Sequence, residues 1–295
     1  MIFTLDSIAP FVRHVRLHHV SATVRSFIDP EYVFIYIKAG KGIYVVEGRE
    51  YVIQAGDMVL MAPYMLHIVR SEPGQEMIEC VIHFDLFYDP SRQGNVSDIP
   101  EMNFSRFAAD RENPETLLAD VPLSRTAVPE SVQAGVYRQY EELRRSFMEE
   151  KQGTIRQLRE RAAMLEILAY YLDQPAGTDS GSAERMHNWR NIERALTYIH
   201  EHYSRPVTLD EVSRQARISK TYFCSLFRQY TGIPVHRYIN ELRVYKAKHM
   251  MENSELSLTE IADAAGLGDI HAFSKTFRKY ERMSPSEYRA KTLDH

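Results

Sequence analysis

The sequence predicts an α+β chain in two parts: a small antiparallel β-barrel followed by a helical pair, and an all-α domain with two helix-turn-helix units. Strand-like runs fill residues 12–84, helical periodicity fills 132–172, and residues 208–289 contain one helical pattern twice. A length of 295 residues with 44% apolar content suits an ordinary globular chain of about two domains. The predicted order is a barrel domain (1–128), a helical segment (129–173), a linker (174–188) and a helical domain (189–291).

Residues 12–84 predict several short strands, because Gly and Pro turn signals interrupt apolar runs at short intervals. This spacing is typical of an antiparallel barrel or sandwich. The run from Tyr32 to Ile37 is apolar on both faces, as a strand buried on both sides would be. In the run from Met77 to Phe84, Glu79 and His83 share one face. That face either lines a cavity or meets solvent, and both alternatives stay open at this point.

Residues 85–129 predict loops and short helices, since prolines interrupt them repeatedly, and two longer helices follow. Apolar residues of the second helix recur at coiled-coil spacing. They are Ile155, Leu158, Ala162, Leu165, Ala169 and Leu172. A second stripe of Met164, Leu168 and Tyr171 runs beside them. We therefore expect one face of this helix to pack on the barrel and the other on a second copy of the chain, forming a homodimer; a wholly intramolecular helical pair is the alternative.

Residues 174–188 predict a flexible linker, since Pro175, Gly177, Gly181 and three hydroxyl side chains fall there. The charge of the chain also divides at this place. Residues 1–184 hold 18 Lys and Arg against 27 Asp and Glu, net −9, whereas residues 185–295 hold 18 against 13, net +5. Because nucleic-acid-binding surfaces are basic, the helical half is the half expected to contact DNA.

Residues 208–289 repeat one pattern with a small offset. Leu209 recurs 49 residues later as Leu258, but Phe223 recurs 50 residues later as Phe273, so one residue is inserted in the second turn. Each copy opens on a Thr or Ser three residues before a Glu, which is the capping box of a helix start. Each copy is therefore predicted to be a short helix, a tight turn and a second helix.

The second helix of each copy is predicted to be amphipathic, with phenylalanines four residues apart on one face and polar or basic residues on the other. A helix about 10–12 Å wide fits the roughly 12 Å major groove of DNA. An ordinary helical bundle with a solvated charged face is the alternative. The residues predicted to read bases are Thr221, Cys224, Ser225, Ile270, His271, Ser274 and Lys275. The residues predicted to contact phosphate are Lys220, Arg228 and Arg278.

This tandem pattern resembles the DNA-binding domain of the AraC/XylS family of transcription regulators, over about residues 189–289. The matching positions of the first half are Leu209, Ser219, Phe223, Phe227, Gly232, Tyr238, Arg243 and Ala247. Those of the second half are Ile261, Ala262, Gly266, Asp269, Phe273, Phe277, Tyr280 and residues 285–289. The departures are Ser213 for a usual Ala, Arg217 and Arg282 for usual glycines, and Leu267 for a usual Phe.

The N-terminal half resembles the cupin-type sensor domain that precedes such a DNA-binding domain. The resemblance lies in Gly40, Gly42, Gly48, Gly56, Asp57, Pro63 and His67. Cupin enzymes hold a metal through several His and one Glu, but here Val33 occupies the position of that Glu and only His67 matches. We therefore expect no metal, no cofactor and no catalytic residue. The family's barrel turns the face with His67 and Glu79 inward, which implies these effector-binding residues: Arg16, His18, His67, Glu79 and His83.

The function expected from these features is that of a DNA-binding transcription regulator that senses a small molecule, with sugars as the first candidates. Its expected partners are double-stranded DNA, the effector, a second copy of the chain and RNA polymerase. A metal enzyme lacks its ligand cluster here, and a constitutive architectural DNA-binding protein would give the barrel no role. The sequence has no run of 18 apolar residues, no signal-peptide pattern and two distant cysteines, so we expect a cytoplasmic protein with no membrane partner.

Overall fold

The computed structural model describes residues 8–20, 24–29, 31–71, 76–86, 123–148, 153–175 and 183–293. The chain forms two compact units, Met1–Ala183 and Glu184–His295. Residues 87–122, which the sequence predicts to be loops and short helices, lie outside the described residues, as do residues 176–182 of the predicted linker.

The first unit contains two antiparallel sheets, as the strand pattern predicts. The strands are β1 (Phe11–Val20), β2 (Arg25–Phe27), β3 (Tyr32–Ala39), β4 (Lys41–Val46), β5 (Arg49–Gln54), β6 (Met58–Met61), β7 (His67–Ser71), β8 (Met77–Asp85) and β9 (Ser124–Arg125). One sheet has the order β1-β8-β3-β6-β9 and the other the order β2-β7-β4-β5. The double-sided apolar pattern of β3 is explained by its central place, where all residues from Tyr32 to Ile37 are buried.

Alternation along the strands divides the apolar residues of the first unit into two cores. One core lies between the sheets and includes Val33 and Val81 from one sheet and Tyr44 and Val69 from the other. The second core covers the outer face of the five-stranded sheet. Cys80, Ile82 and Phe84 of β8 belong to this outer core and are fully buried.

Two helices cover that outer face: α1 (Glu130–Met148) and α2 (Thr154–Leu172). Met164, Leu168 and Tyr171 of α2 are buried in the outer core, which places that stripe against the sheet and α1 as the sequence predicts. The remaining apolar stripe of α2 points away from this core. Ile155, Leu158, Leu165 and Leu172 are 70%, 58%, 44% and 40% exposed, respectively.

The second unit is helical. Its helices are α3 (Ala183–His202), α4 (Leu209–Gln215), α5 (Lys220–Thr231), α6 (Val235–Asn253), α7 (Leu258–Ala264), α8 (Ile270–Glu281) and α9 (Pro285–Leu293). The two helix-turn-helix units are therefore α4–α5 and α7–α8, joined by α6. Within the described residues, no helix is long and apolar enough to cross a membrane.

Helix α3 begins at Ala183, so the predicted linker of residues 174–188 extends too far and the helical domain starts before residue 189. The glycines and hydroxyl residues of the segment indicated a linker throughout. However, good helix formers such as Glu184 and Arg185 follow Gly181, and they precede Trp189 and Ile192, which are buried at 2% and 0% exposure. Packing of Trp189 and Ile192 stabilises the helix, which therefore extends toward the N-terminus as far as Ala183.

Candidate DNA-binding surface and effector site

The first helix of each helix-turn-helix unit starts at a complete capping box. The backbone N–H of Glu211 donates to Thr208 Oγ1 at 3.2 Å, and the Thr208 N–H donates to the Glu211 carboxylate at 2.8 Å. Thr208 also donates from Oγ1 to this carboxylate at 2.9 Å, and the two hydrogen bonds that Thr208 donates lower the pKa of Glu211 to about 2. Ser257 and Glu260 repeat the arrangement at the start of α7. Both helices therefore begin where the sequence predicts.

The turns between the paired helices need residues with a left-handed backbone. Arg217 has φ of 58° in the first turn, and Gly266 has φ of 68° at the corresponding place in the second. A glycine in one unit again corresponds to an arginine in the other at the ends of α5 and α8, where Gly232 and Arg282 both adopt the left-handed conformation. The inserted residue of the second turn is accommodated by Gly268, whose φ is 78°. Arginine thus stands twice in a conformation that glycine adopts more easily.

The second helices, α5 and α8, bury their aromatic stripes as predicted. Phe223, Phe227, Phe273 and Phe277 are all 0% exposed. The faces opposite these phenylalanines carry the residues predicted to read bases. Thr221, Ser225, His271 and Lys275 are exposed, and Cys224, Ile270 and Ser274 are partly buried. The structure thus brings each predicted set onto the outer face of one helix, where side chains are able to reach a ligand.

The predicted phosphate contacts also lie at the surface. Arg228 and Arg278 are exposed in the last turns of α5 and α8, where a positive charge is favoured by the helix dipole. Lys220 Nζ pairs with the Asp210 carboxylate at 2.9 Å, and both side chains are at least half exposed. An exposed pair of this kind is weak, so Lys220 can exchange Asp210 for another anion at little cost.

A groove of about 560 Å³ lies beside the outer face of α5. Cys224, Ser225 and Arg228 line it from α5, and Val235 and His236 line it from the start of α6. His236 is not among the residues that the sequence predicts to contact DNA. The signal that could have found it is its position two residues after Pro234, at the second residue of a helix that begins next to the end of α5.

Helix α6 fixes the separation of the two units. Its 19 residues span about 28 Å at the helical rise of 1.5 Å per residue. Tyr238 and Ile239 are buried in its N-terminal half, and Ala247 and Met251 are buried in its C-terminal half. The same rigid helix therefore packs against both helix-turn-helix units, which suits the roughly 34 Å repeat of the major groove.

The inner face of the five-stranded sheet in the first unit is polar along β1 and β8. Strand register pairs His18 with Glu79 and His14 with His83. His83 also pairs with Val33 of the inner core, so this face points between the sheets. Glu79 and His83 are 2% and 1% exposed, which excludes the solvent-facing alternative. The predicted effector residues on this face are Arg16, His18, Glu79 and His83.

Glu79 is held by hydrogen bonds from both sheets. Its Oε1 accepts from the Tyr44 hydroxyl at 2.5 Å, and its Oε2 lies 3.0 Å from His18 Nδ1. The other nitrogen of His18 lies 3.1 Å from an Arg25 nitrogen, which can only donate. His18 Nδ1 therefore carries the proton that is donated to Glu79. Burial lowers the pKa of His18, although its bond to Glu79 opposes that shift, so a neutral ring fits this chain of donors.

His83 is surrounded by carboxylates but reaches none of them. Its Nδ1 lies 3.8 Å from Asp29 Oδ1 and 3.9 Å from Glu31 Oε2. Both distances exceed the 2.7–3.2 Å range of an N–H···O hydrogen bond. Neither ring nitrogen has a hydrogen-bond partner among the described residues, and both are buried. Such groups are normally paired, so His83 is an exception that needs an explanation.

His67 forms the opposite side of this interior, on β7 of the four-stranded sheet. Its ring stacks on Phe27 with 5.6 Å between centroids and lies 6.0 Å from the Tyr44 ring. Burial lowers the pKa of His67, and the nearby Asp29 carboxylate opposes the shift. Nδ1 donates to the Met65 carbonyl at 3.1 Å, which leaves Nε2 as an acceptor when the ring is neutral.

Four further residues belong to this interior and are not among the effector-binding residues that the sequence predicts: Arg25, Asp29, Glu31 and Tyr44. Asp29 precedes Pro30 and is explained by a turn signal, and Glu31 comes immediately before β3, so neither is part of a strand-alternation pattern. Strand alternation could have found Arg25 and Tyr44, since both pair with the inward Val69 of β7. In the described part of the chain, no group of three or more His, Cys, Asp or Glu side chains is arranged to hold a metal ion.

Comparison with known families gives two matches. Residues 13–170, more than half of the chain, match the family described as an AraC-like ligand binding domain. Residues 212–291 match a helix-turn-helix domain. The first match covers the two sheets with α1 and nearly all of α2, and the second covers most of the helical unit.

Individual relatives match shorter parts of the chain. The Msm operon regulatory protein of Streptococcus mutans is 32% identical over 98 residues, which are 33% of this chain and 35% of that protein. The HTH-type transcriptional activator RhaS of Salmonella schwarzengrund is 33% identical over 102 residues, 35% of this chain and 37% of that protein. The matches thus span little more than a third of these curated relatives.

Among solved structures, the DNA-binding domain of AdpA in complex with a target DNA is 25% identical, with a TM-score of 0.34, and covers 35% of this chain and 94% of that one. ToxT from Vibrio cholerae O395 is 13% identical, with a TM-score of 0.42, and the match covers 97% of this chain and 99% of the ToxT chain.

Proposed function

Because the chain belongs to the AraC family of transcription regulators, we propose that it binds duplex DNA through both helix-turn-helix units and that a small molecule in its β-domain controls this binding. Two adjacent stretches of the major groove are the proposed target of α5 and α8. RNA polymerase is a further proposed partner, reached by a regulator bound beside a promoter.

The observation that carries this proposal is the near-repetition of one helix-turn-helix unit on a single rigid helix. Both copies have the same capping box, the same buried phenylalanine pair and the same polar outer face. A structural bundle needs the caps and the core, but it does not need two outer faces with matching exposed polar positions. The net charge of +5 over residues 185–295 further supports an anionic partner.

The test uses the full chain and a randomised duplex library, with selection of the bound sequences. We expect a recurrent sequence with two contacted segments about one helical turn apart. Affinity should fall steeply between about 50 and 200 mM salt, because phosphate contacts release counterions. Absence of an enriched sequence together with a flat salt response would refute the proposal.

The small-molecule part of the proposal rests on the interior of the β-domain. His18, His67 and Glu79 supply both donors and acceptors there, and aromatic and aliphatic side chains surround them. A few convergent polar groups within an apolar lining are typical of sites that orient a small ligand. Sugars are the first compounds to test, by repeating the DNA-binding measurement in their presence and looking for a change in affinity.

We also propose that the chain is a homodimer that pairs through α2. The stripe of Ile155, Leu158, Ala162, Leu165, Ala169 and Leu172 has coiled-coil spacing and is exposed along its whole length. The residues that flank it support an antiparallel pair. Arg159 and Arg161 flank the N-terminal half, and Glu166 and Asp173 flank the C-terminal half. Antiparallel pairing would set each basic half against the acidic half of the partner helix.

A further inference from the structure

We propose that Asp29, Glu31 and His83 form a subsite, here called the donor subsite, that binds a hydrogen-bond-donating group of the effector, either a hydroxyl or an ammonium. This inference rests on the proposed function, because it names the chemistry that the β-domain recognises. It adds two residues, Asp29 and Glu31, to the predicted effector-binding set.

The spacing of these three side chains supports the donor subsite. The distances of 3.8 and 3.9 Å from His83 Nδ1 to the carboxylates are too long for hydrogen bonds. They are also short enough that one small polar group can contact both sides. Two polar groups more than 3.5 Å apart can be bridged by a third group, such as a water molecule or a ligand hydroxyl.

The burial of the three side chains also supports the donor subsite. His83, Glu31 and Asp29 are 1%, 6% and 9% exposed, so the three side chains are shielded from bulk solvent. Both nitrogens of His83 lack a hydrogen-bond partner among the described residues. A buried polar group left in this state is costly, and the cost is recovered when a ligand supplies the missing partner.

The chemistry of the two carboxylates indicates which kind of group they bind. An ionised carboxylate has acceptor sites only, so any ligand group that hydrogen-bonds to it must be a donor. A hydroxyl can donate to one carboxylate and accept from His83, whereas an ammonium can donate to both carboxylates. A fully ionised phosphate or carboxylate has no proton to donate, and either group would bring like charge next to Asp29 and Glu31. The donor subsite therefore selects against anionic ligands.

The donor subsite adjoins the other polar groups of the interior. Burial raises the pKa of Tyr44 well above its usual value, and the nearby carboxylates of Glu79 and Asp29 raise it further. Asp29 also lies close enough to His67 to oppose the lowering of its pKa. Asp29 therefore lies near enough to Tyr44 and His67 to affect both pKa values, which places it in the same interior.

The test is a thermal-shift and calorimetry screen of the full chain with sugars in matched sets of three. One such set is glucose, glucosamine and glucose 6-phosphate, which present a hydroxyl, an ammonium or a phosphate. We expect binding in at least one set by the hydroxyl or the ammonium member, with the phosphate member bound at least tenfold more weakly. Comparison of the first two members identifies which donor the subsite prefers.

Variants then place the bound compound. Asp29→Asn and Glu31→Gln should each weaken its binding about ten- to a hundredfold, the usual range for a hydrogen bond to a charged group. Glu50→Gln is the matched control, because Glu50 pairs with Arg70 at 2.7 Å and its side chain is 41% exposed. The control should bind like the unmodified chain. Unchanged melting of the ligand-free variants and unchanged DNA binding would show that the variants fold.

Several results would overturn the donor subsite. One is tightest binding by the phosphate members, which would make Arg16 the selecting group. Another is unchanged affinity in both variants. Loss of binding after treatment with a chelator, or no binding in any set, would also overturn it. The DNA-library experiment distinguishes failure of the donor subsite from failure of the proposed DNA-binding function. Retained sequence-specific DNA binding with a failed ligand screen would remove the donor subsite and leave the DNA-binding role standing.

Discussion

Lys275 is the residue that best separates base reading from phosphate contact. It is exposed on the outer face of α8, one turn from the exposed His271. If its ammonium contacts a base edge, Lys275→Ala should cost about 1–3 kcal/mol on the selected site and little on random DNA. Arg278→Ala should weaken both complexes equally, since phosphate contacts are independent of sequence.

Fluorescence anisotropy on both duplexes measures these affinities. Lys291→Ala is the matched control, because Lys291 is exposed on α9 outside the two predicted reading faces. Equal losses for Lys275→Ala on the two duplexes would reassign Lys275 to a phosphate.

His200 makes the stability of the helical unit depend on pH. Burial lowers the pKa of His200 to about 3, and its Nε2 lies 2.9 Å from the Tyr238 hydroxyl. The unfolded chain has the usual His pKa of about 6.5, so it binds the proton first as the pH falls. The stabilising contribution is therefore complete above pH 6.5 and is lost progressively from there toward pH 3. Between pH 7 and pH 5 the free energy of unfolding should fall by about 2 kcal/mol.

Trp189 reports this transition, since it is the single tryptophan and lies buried against Tyr230 in the same unit. Denaturant titrations at several pH values, followed by Trp189 fluorescence, give the dependence of the free energy of unfolding on pH. His200→Gln should make this dependence weaker. His236→Gln, at an exposed position, should leave it unchanged. A pH dependence unchanged by His200→Gln would belong to another group.

At the scale of elements, the exposed stripe of α2 predicts how two chains associate. Leu158→Asp with Leu165→Asp should convert the dimer to a monomer, because the substitution buries charges without partners in the pairing surface. Sedimentation velocity of the full chain measures the change. Gln157→Asp on the same helix is the control and should remain dimeric. An unmodified chain that sediments as a monomer at tens of micromolar would contradict the proposed pairing.

The first helix-turn-helix turn is predicted to be strained. Arg217 adopts φ of 58°, whereas its counterpart in the second turn is a glycine. A left-handed backbone costs a non-glycine residue about 1–2 kcal/mol, and glycine loses part of that gain through its freer unfolded state. Arg217→Gly should therefore stabilise the unit by about 0.5–1 kcal/mol, measured by thermal unfolding.

Gly266→Ala provides the opposite case. Its Cβ would lie 2.5 Å from the Ser204 carbonyl oxygen, in addition to the backbone strain, so this change should destabilise the unit. A destabilising Arg217→Gly would show that contacts of the Arg217 side chain outweigh its backbone strain.

At the scale of the whole molecule, a dimer of chains would present four recognition helices. A duplex with two copies of the selected site should then bind the full chain more tightly than a duplex with one copy, because the second unit binds intramolecularly. The Leu158→Asp and Leu165→Asp chain should lose this advantage and still bind the single site. Equal binding of one-site and two-site duplexes by the unmodified chain would contradict the model of paired sites.

The sequence alone determined the features that local physics controls. The repeat, the capping boxes at Thr208 and Ser257 and the 3.6-residue periodicity predict both helix-turn-helix units, because a helix start needs only neighbouring hydrogen bonds. Strand alternation put Glu79 and His83 on one face, and the resemblance to the cupin-type barrel turned that face inward. The same local logic found the stripe of α2, whose exposure the structure then revealed.

The tertiary structure alone decided which of these groups meet. Tyr44 donates a hydrogen bond to Glu79 from the opposite sheet, and Asp29 and Glu31 lie 3.8 and 3.9 Å from His83 although they are more than fifty residues away in the chain. No periodicity encodes such contacts, since they depend on how two sheets close around a shared core. The start of α3 at Ala183 was likewise decided by the burial of Trp189, a long-range packing effect that overrides the composition of the segment before it.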